Sequence, residues 1–395
     1  MVGASILALA APASAAQVEK IAGGLDNPRH LALGDDELYV AEAGRGGPGP
    51  CFPGEGGEGP PACVGDTGAV TVIDDDGDQE RLVEGLASFA EQGTGGGAIG
   101  PHGIFVVDGD KVLITNGGPT SANRDELAAQ NPVANLFGRV LAIKEHGGIV
   151  RLADIWDFER DNNPDAQVGD PAVDSNAVDV LVDHRRLVVA DAGGNTLLTA
   201  SKRDGIEVLS LFENRLFPNP FGGPDIPTQT VPTGVVKGPD GDYYMSQLTG
   251  FPFPVGGANV YRVDRDTGEA EVYASGFTNL MDLAFDEDGT LWVLEIDHDG
   301  LLNPGLDGAI YAVRRDGSKR QLELDPGALV FPGGITVGRD GDLYVTNKSV
   351  LAGGGEVLRI EVDDDENKGH RRHKGHHKHK SGRKHKRHHR KGGDD

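Results

Sequence analysis

Several familiar signatures are missing from this sequence, and each absence excludes a class of protein. Only two of its 395 residues are Cys, too few for the disulfide framework of so long a chain. No His flanks them at the spacing of a zinc site. Beyond the N-terminus no apolar run approaches the length of a transmembrane helix. The Gly-x-Ser-x-Gly elbow, the His-Glu-x-x-His motif and the P-loop are absent too, so no common catalytic motif identifies an enzyme.

Turn-forming residues are abundant instead, with 60 Gly and 23 Pro. They separate short apolar runs of strand length, a pattern typical of all-β proteins. Only residues 121–130 and 153–162 have helical character. The sequence therefore predicts an all-β fold with two short helices.

The N-terminus carries the pattern of an export signal. Residues 2–16 read VGASILALAAPASAA, an apolar stretch followed by small residues, and Ala13-Ser14-Ala15 fits a signal-peptidase site. We expect residues 1–15 to be a signal peptide, although the usual basic n-region is missing, and the protein to be secreted. The alternative is a buried N-terminal strand.

Both cysteines, Cys51 and Cys63, lie in one Gly- and Pro-rich segment, CFPGEGGEGPPAC. In an exported protein we expect them to form a disulfide that holds a surface loop. The alternative is a pair of free thiols.

Charge is divided unevenly along the chain. From residue 366 onward there are 12 Lys and Arg against 3 Asp and Glu, whereas the rest of the chain holds 25 against 59. The acidic body argues against nucleic acid as a partner in vivo. The tail, residues 364–395, holds eight of the 13 histidines and has too few apolar residues to fold alone.

A repeated pattern of strands accounts for residues 16–363. One strand pattern recurs six times along the chain, and each copy has a polar residue at the end of the strand. The copies are ELYVAEAG, KVLITNGG, LVVADAGG, DYYMSQLTG, TLWVLEID and DLYVTNKS. A shorter strand precedes each copy, often through an Asp-Gly hairpin turn, and a third strand follows. A fourth strand follows in five copies only, and VEKIAGGL, which starts at Val18, has the pattern of the missing one.

Six such units predict a six-bladed β-propeller in which the N-terminal strand completes the last blade. The alternative, a pair of β-sandwiches, does not explain six equivalent units with one displaced strand. The third unit has VDHRRL in place of an Asp-Gly turn and must turn differently. The early units carry long insertions, where function is often located.

Two rings of side chains are predicted around one mouth of the central channel. The starts of the first strands supply Arg29, His102, Asn176, Thr233, Met281 and Gly333. The ends of the second strands supply Glu42, Asn116, Asp191, Gln247, Glu295 and Asn347. The carboxylates Glu42, Asp191 and Glu295 could hold calcium in the channel. The alternative is that each caps its own turn.

One side chain of the inner ring and three further side chains are candidates for a role at the same face. His102 could act as a general base, or it could be a structural hydrogen-bonding residue. Phe251 and Phe253, in LTGFPFPVGGAN, could form an aromatic ligand wall or a plug that seals the channel. His298, in IDHDG, lies in the matching loop of the next unit.

The body also resembles a known family. NPRHLAL, LYVAEAGRGG, GPHGI, FERDNNPD, VPTGVV, LTGFPFPVGGANVYRV, LEIDHDG and GGEVLRI, spread over residues 18–362, resemble the ScyD/ScyE family of secreted propellers related to NHL repeats. The resemblance implies an exported six-bladed propeller and no particular activity. Calcium-dependent propeller lactonases share the architecture, but of their first-strand ligand positions only Asn176 fits here.

These observations lead to three functional hypotheses. The leading one is a monomeric, non-enzymatic binding or scaffold protein, without a transmembrane anchor, whose basic tail binds an anionic cell-wall polymer or another surface partner. The second is a calcium-dependent hydrolase or lactonase at the channel mouth. The third is metal capture by the tail, whose histidines could bind zinc, nickel or copper.

Overall fold

Six antiparallel sheets, the first with five strands and the others with four, follow one another in the computed structural model, which describes residues 15–53, 60–119, 123–144, 147–303 and 305–362. The predicted signal peptide, apart from Ala15, and the predicted tail lie outside the described residues. None of the helices in the described part of the chain has the length and apolar character that crossing a bilayer requires.

The first strand closes the ring. Strand β1 (Val18–Leu25) pairs antiparallel with the last strand of the chain, β27 (Gly355–Ile360), and the sheet continues through β26 (Leu343–Asn347) to β25 (Gly334–Val337). This confirms the predicted position of VEKIAGGL as the fourth strand of the sixth blade. Because β1 pairs with β27, the last sheet has four strands, as the second to fifth sheets do. β27 therefore has no exposed edge.

The first three blades use consecutive strands. The first contains β2 (Pro28–Leu33), β3 (Leu38–Glu42), the two-residue β4 (Cys51–Phe52), β5 (Ala62–Ile73) and β6 (Gln79–Glu91). The second contains β7 (Pro101–Val107), β8 (Lys111–Asn116), β9 (Arg139–Ile143) and β10 (Ile149–Asp154). The third contains β11 (Ala177–Asp183), β12 (Arg186–Asp191), β13 (Thr196–Ser201) and β14 (Gly205–Leu211).

A short hairpin, β15 (Arg215–Phe217) with β16 (Ile226–Thr228), precedes the fourth blade. That blade contains β17 (Thr230–Lys237), β18 (Tyr243–Thr249), β19 (Ala258–Val263) and β20 (Ala270–Phe277). The fifth contains β21 (Leu280–Phe285), β22 (Leu291–Glu295), β23 (Ala309–Val313) and β24 (Lys319–Gln321).

The hydrophobic core lies between the blades. Between the first and second, for example, Tyr39, Ala41 and Val70 pack against Ile114 and Leu141, and similar clusters join the other neighbours. Inner strands are covered on both faces by adjacent blades, so they read as continuous apolar runs. A polar residue within such a run is therefore buried, which matters for the channel.

Two insertions contain the helices. α1 (Arg124–Gln130) begins after Asn123, whose side chain accepts hydrogen bonds from the N–H groups of Asp125 and Glu126. α2 (Ile155–Asn162) begins after Asp154, whose carboxylate accepts the N–H of Asp157. Both lie within the stretches predicted to be helical, and the N-capping side chains determine where they start.

Two local expectations concern loops. Cys51 and Cys63 form a disulfide, as predicted, and they face each other across the β4–β5 pair. In the third blade β11 and β12 are joined by a two-residue turn at His184 and Arg185. His184 has a φ of 56°, so this residue takes the left-handed conformation that Gly takes in the Asp-Gly turns of other blades.

Candidate functional site

A recurring β-bulge directs side chains from the inner strands toward the channel. Five of the six first strands break register at the same place, just after the residue that pairs with the end of the second strand. Bulges of this kind re-aim side chains near functional sites. They define equivalent positions through five pairs, which are Pro28–Glu42, Pro101–Asn116, Ala177–Asp191, Pro232–Gln247 and Leu280–Glu295.

This register corrects one member of the predicted inner ring. Ala177 pairs with Asp191 as Pro28 pairs with Glu42, so the residue equivalent to Arg29 in the third blade is Val178. Asn176 lies two positions earlier, before the strand begins. The sequence pattern places the start of the third unit at Ser175, whereas the strand and its bulge begin two residues later, at Ala177.

The inner ring lines a cavity of about 310 Å³, which we call the mouth cavity. The structure places Arg29, His102, Thr233 and Met281 around it, and Asn176 also lines it despite its displaced register. Arg29 donates a hydrogen bond to the carbonyl of Ala98. The cavity therefore combines hydrogen-bonding groups with apolar surface, as small-molecule sites do.

The second ring serves a different purpose: each member is hydrogen-bonded to a residue at or before the start of the first strand of its own blade. Asp191 accepts hydrogen bonds from Ser175 Oγ at 2.8 Å and from the N–H of Asn176 at 2.7 Å. The same pattern repeats in the other five blades, where Glu42 accepts from Asp26 N–H, Asn116 donates to Ala87, Gln247 donates to Thr230, Glu295 accepts from Thr278 N–H and Asn347 accepts from Val330 N–H.

The three expected calcium ligands are thus used in separate blades. Glu42 also contacts Thr71 and Arg81, while Asp191 and Glu295 are held by donors of the third and fifth blades. Burial raises the pKa of all three carboxyls, to about 7 for Glu295. Their geometry fits the capping alternative, because each reaches backbone groups near its own turn instead of a shared point.

His102 is held by the backbone. Its Nδ1 lies 2.7 Å from the carbonyl oxygen of Val178, so Nδ1 carries the proton and donates, which leaves the lone pair on Nε2. Burial, then the neighbouring His30 and Arg29, lower the pKa of His102 well below its usual value. The side chain is therefore a neutral imidazole with a defined tautomer.

The aromatic candidates do not line the mouth cavity. Phe251 and Phe253 lie in the loop after β18, and the ring of Phe251 stacks on Phe221 with 6.1 Å between centroids. Phe221, in the β15–β16 loop, is 85% exposed and Phe251 is 43% exposed. These two rings therefore form an aromatic patch on the surface. Neither the ligand wall nor the plug matches this arrangement. His298 is also outside the mouth cavity, with its Nδ1 2.8 Å from the carbonyl of Asp307.

The sequence analysis missed a cluster one position further along the inner strands. The equivalent positions there are occupied in turn by His30, Gly103, Asp179, Gly234, Asp282 and Gly334. Three ligand-type side chains thus alternate with three glycines around the channel. A Cβ at Gly234 would lie 2.8 Å from Asp282 Oδ1, and one at Gly334 would lie 2.7 Å from the Cα of His30. The glycines therefore make room for the three polar residues.

His30, Asp179 and Asp282, which we call the channel triad, converge although they come from alternate blades. Each offers a ligand atom within 4.8 Å of the other two, and all three are buried. His30 Nδ1 lies 3.3 Å from Asp179 Oδ1. A visible signal was present in the sequence, since NAVDV and LMDLAF each place one Asp in an otherwise apolar strand.

The electrostatics of the triad follow from the burial of its three side chains. Burial opposes protonation of His30, but the carboxylates of Asp282 and Asp179 outweigh it and raise the pKa of His30 to about 9. Burial raises the pKa of Asp282 to about 6. The two carboxylates therefore stabilise the protonated form of the His30 imidazole.

A second buried acidic group lies beside the third blade. Glu159, in α2, is 1% exposed, and its Oε1 has no hydrogen-bond partner. Burial, followed by the charges of Asp191, Asp165 and two further aspartates, raises the pKa of Glu159 to about 9. Its Oε2 would lie 2.9 Å from a Cβ placed on Gly194, so the carboxyl occupies space that this glycine leaves open.

Comparisons with known proteins bear on the fold. No protein-family model matches the sequence, and no curated protein matches it. A protein of unknown function from Bacteroides thetaiotaomicron is 14% identical with a TM-score of 0.50, over 88% of this chain and 76% of that one. The PQQ domain of pyranose dehydrogenase from Coprinopsis cinerea is 11% identical with a TM-score of 0.50, over 89% and 96%.

Virginiamycin B lyase from Staphylococcus aureus, in a catalytically inactive form with quinupristin, is 11% identical with a TM-score of 0.45, over 88% of this chain and 99% of that one. Such low identities carry the architecture and not the chemistry. The chain therefore has the fold of a six-bladed β-propeller.

Proposed function

We propose that this chain is an exported, non-enzymatic binding protein of the ScyD/ScyE type. Its mouth cavity receives a small ligand, and its basic tail attaches the molecule to anionic polymers at the cell surface. The family membership, the export and the attachment are parts of this one proposal.

The observation that carries the proposal is that the two rings have different roles in the structure. The carboxylates of the second ring are hydrogen-bonded within their own blades, whereas the inner ring supplies side chains that line the mouth cavity. A recess of about 310 Å³ lined by Arg29, His102 and Thr233 suits a small polar molecule. The calcium-dependent hydrolase alternative needs Glu42, Asp191 and Glu295 at one point, and it gains no support from their separate positions.

Charge and redox chemistry support the surface role. The body carries 59 acidic against 25 basic residues, and residues 366–395 carry 12 basic against 3 acidic. A basic arm on an acidic body binds polyanions through the arm alone, because the body repels them. The Cys51–Cys63 disulfide fits an oxidising compartment.

Co-sedimentation with alginate beads tests the attachment. The full chain should bind at low salt and be released by about 0.5 M NaCl, since screening weakens exposed charge interactions. A matched chain that ends at Val362 should not bind, and neutral dextran beads should retain neither protein. Equal binding of the two chains, or no binding of the full chain, would contradict the proposed role of the tail.

A second variant tests the recess. Met281 is 7% exposed and lines the mouth cavity, so Met281→Trp should fill it. Native mass spectrometry of protein from its own source should show a small molecule that is retained by the wild type and lost from the variant. A molecule retained equally by both would not be bound in the cavity.

A further inference from the structure

The channel triad has the geometry of a metal centre. Donor atoms bound to one ion at about 2.0–2.2 Å lie about 3–4.5 Å apart, and the ligand atoms of His30, Asp179 and Asp282 all lie within 4.8 Å of one another. The three residues come from the first, third and fifth blades, so the packing of the whole ring sets their separation. A preformed set of this kind loses little conformational entropy when it binds an ion.

An independent observation points to a ligand at this place. His30 is 2% exposed, and its Nε2 has no hydrogen-bond partner. A buried polar atom without a partner carries a desolvation cost. A metal ion bound to Nε2 would remove that cost, while Nδ1 keeps its contact with Asp179 Oδ1.

His102 offers a fourth ligand from the adjacent level. The centroid of its ring lies 5.0 Å from that of His30. Its Nδ1 donates to the carbonyl of Val178, the arrangement by which metal-binding histidines are commonly oriented, and it leaves the Nε2 lone pair for a metal.

The donor set indicates the class of metal. One or two imidazole nitrogens with two carboxylate oxygens suit zinc, manganese or ferrous iron. Calcium takes six to eight oxygen ligands, and the triad supplies too few. All four carboxylate oxygens of the triad accept backbone N–H groups. Asp179 accepts from Val180 and Val235, and Asp282 accepts from Leu283 and Ile335. These contacts orient the carboxylates as a supporting shell does.

We propose that His30, Asp179 and Asp282 bind a divalent transition-metal ion inside the channel, with His102 as the neighbouring ligand. This site goes beyond the proposed binding role and differs from the mouth carboxylates considered for calcium. The cavity of about 460 Å³ that the triad lines would give the ion access from the face opposite the mouth.

Thermal melting of the full chain tests the site. Chelator-stripped protein is melted with and without an excess of Zn²⁺, Mn²⁺ or Co²⁺ over all histidines, and Tm is followed by near-UV circular dichroism. Ligands that bind only the native state raise Tm. The eight tail histidines are common to every variant, so the comparison between variants isolates the channel.

The matched variants are His30→Asn in the triad and His184→Asn in an exposed turn. We expect at least one metal to raise Tm by several degrees in the wild type and in His184→Asn. In His30→Asn the apparent affinity should fall at least tenfold. Asp282→Asn, which keeps the size of the side chain, should show the same loss and serves if His30→Asn does not fold. An equal rise in the triad variants, or no rise in the wild type with any of the metals, would overturn the proposal.

Discussion

The carboxylate of Asp179 in the third blade accepts a hydrogen bond from the backbone N–H of Val235 in the fourth blade, at 2.7 Å. Asp282 in the fifth blade holds Ile335 in the sixth in the same way, at 2.8 Å. The two aspartates therefore form hydrogen bonds between neighbouring blades and are also members of the channel triad.

Removal of the Asp179 carboxylate, and with it the hydrogen bond to Val235, should destabilise the propeller. In Asp179→Ala the buried N–H groups of Val180 and Val235 lose their acceptor, and each unsatisfied group costs about 1–3 kcal/mol. We expect the free energy of unfolding to fall by about 2–4 kcal/mol. Urea denaturation in the presence of chelator measures it. The exposed control Asp36→Ala should stay within about 0.5 kcal/mol of the wild type, and an equally stable Asp179→Ala would show that the contact contributes nothing.

The buried acids give the protein a pH optimum on the acidic side. Burial raises the pKa of Glu159 to about 9 and that of Glu295 to about 7. Between the usual pKa near 4.5 and these values the folded chain holds protons that the unfolded chain has released, so stability falls as pH rises. Burial opposes the shift of Asp183, but hydrogen bonds from Lys237 and Tyr243 lower its pKa. This group therefore stabilises the fold above its usual pKa of 3.8 and loses that contribution only as pH falls below it.

We therefore expect Tm to be highest near pH 5 and to decline steadily toward pH 9. Differential scanning calorimetry at constant ionic strength measures the profile, in chelator so that bound metal does not contribute. A flat profile, or one that rises from pH 5 to pH 9, would contradict the raised acid pKa values.

Glu159→Gln should remove much of that decline. Gln keeps the shape of the protonated carboxyl and has no proton to lose, so the variant should gain stability over the wild type as pH rises. A difference of 2.5 pH units from the usual pKa corresponds to up to about 3 kcal/mol at pH 7. Urea denaturation of both proteins at pH 4.5 and pH 8 tests this. The two should agree at pH 4.5, and the exposed control Glu84→Gln should follow the wild type at both values.

The disulfide should contribute modestly to stability. A loop closed over 12 residues is worth about 2–3 kcal/mol in the chain-entropy description. Replacing both cysteines by Ser should lower the free energy of unfolding by about that amount and leave the circular dichroism spectrum unchanged. Reductant should lower Tm of the wild type and have no effect on the double variant. A reductant effect of equal size on both proteins would locate its cause elsewhere.

The fold and its closure could be predicted because the relevant information is local and repeated. Each unit shows its own alternation of apolar runs and turns, and LYVAE, LITN and LYVTN all place a polar residue at the same strand end. The displaced strand VEKIAGGL was recognisable because the sixth unit lacked one strand. The disulfide followed from two cysteines in one loop.

The site could be predicted only in part. The structure brings Arg29, His102, Thr233 and Met281 to one cavity, because each follows the residue that pairs with a second-ring position. The register of the third blade was wrong, since a bulge shifts pairing without any mark in the residue pattern. Phe251 and Phe253 were expected at the channel, but the loop that carries them packs on Phe221, and loop paths depend on long-range contacts.

The sequence by itself determined that this chain forms six four-stranded blades, closes them with its first strand, and divides its charge between an acidic body and a basic tail. Only the tertiary structure decided which polar residues meet. His30, Asp179 and Asp282 are about 100 to 250 residues apart in sequence and converge only when the ring closes. The physical reason is that strand periodicity specifies which face a side chain occupies within one blade, whereas the bulges and the packing of six blades specify what lies opposite it across the channel.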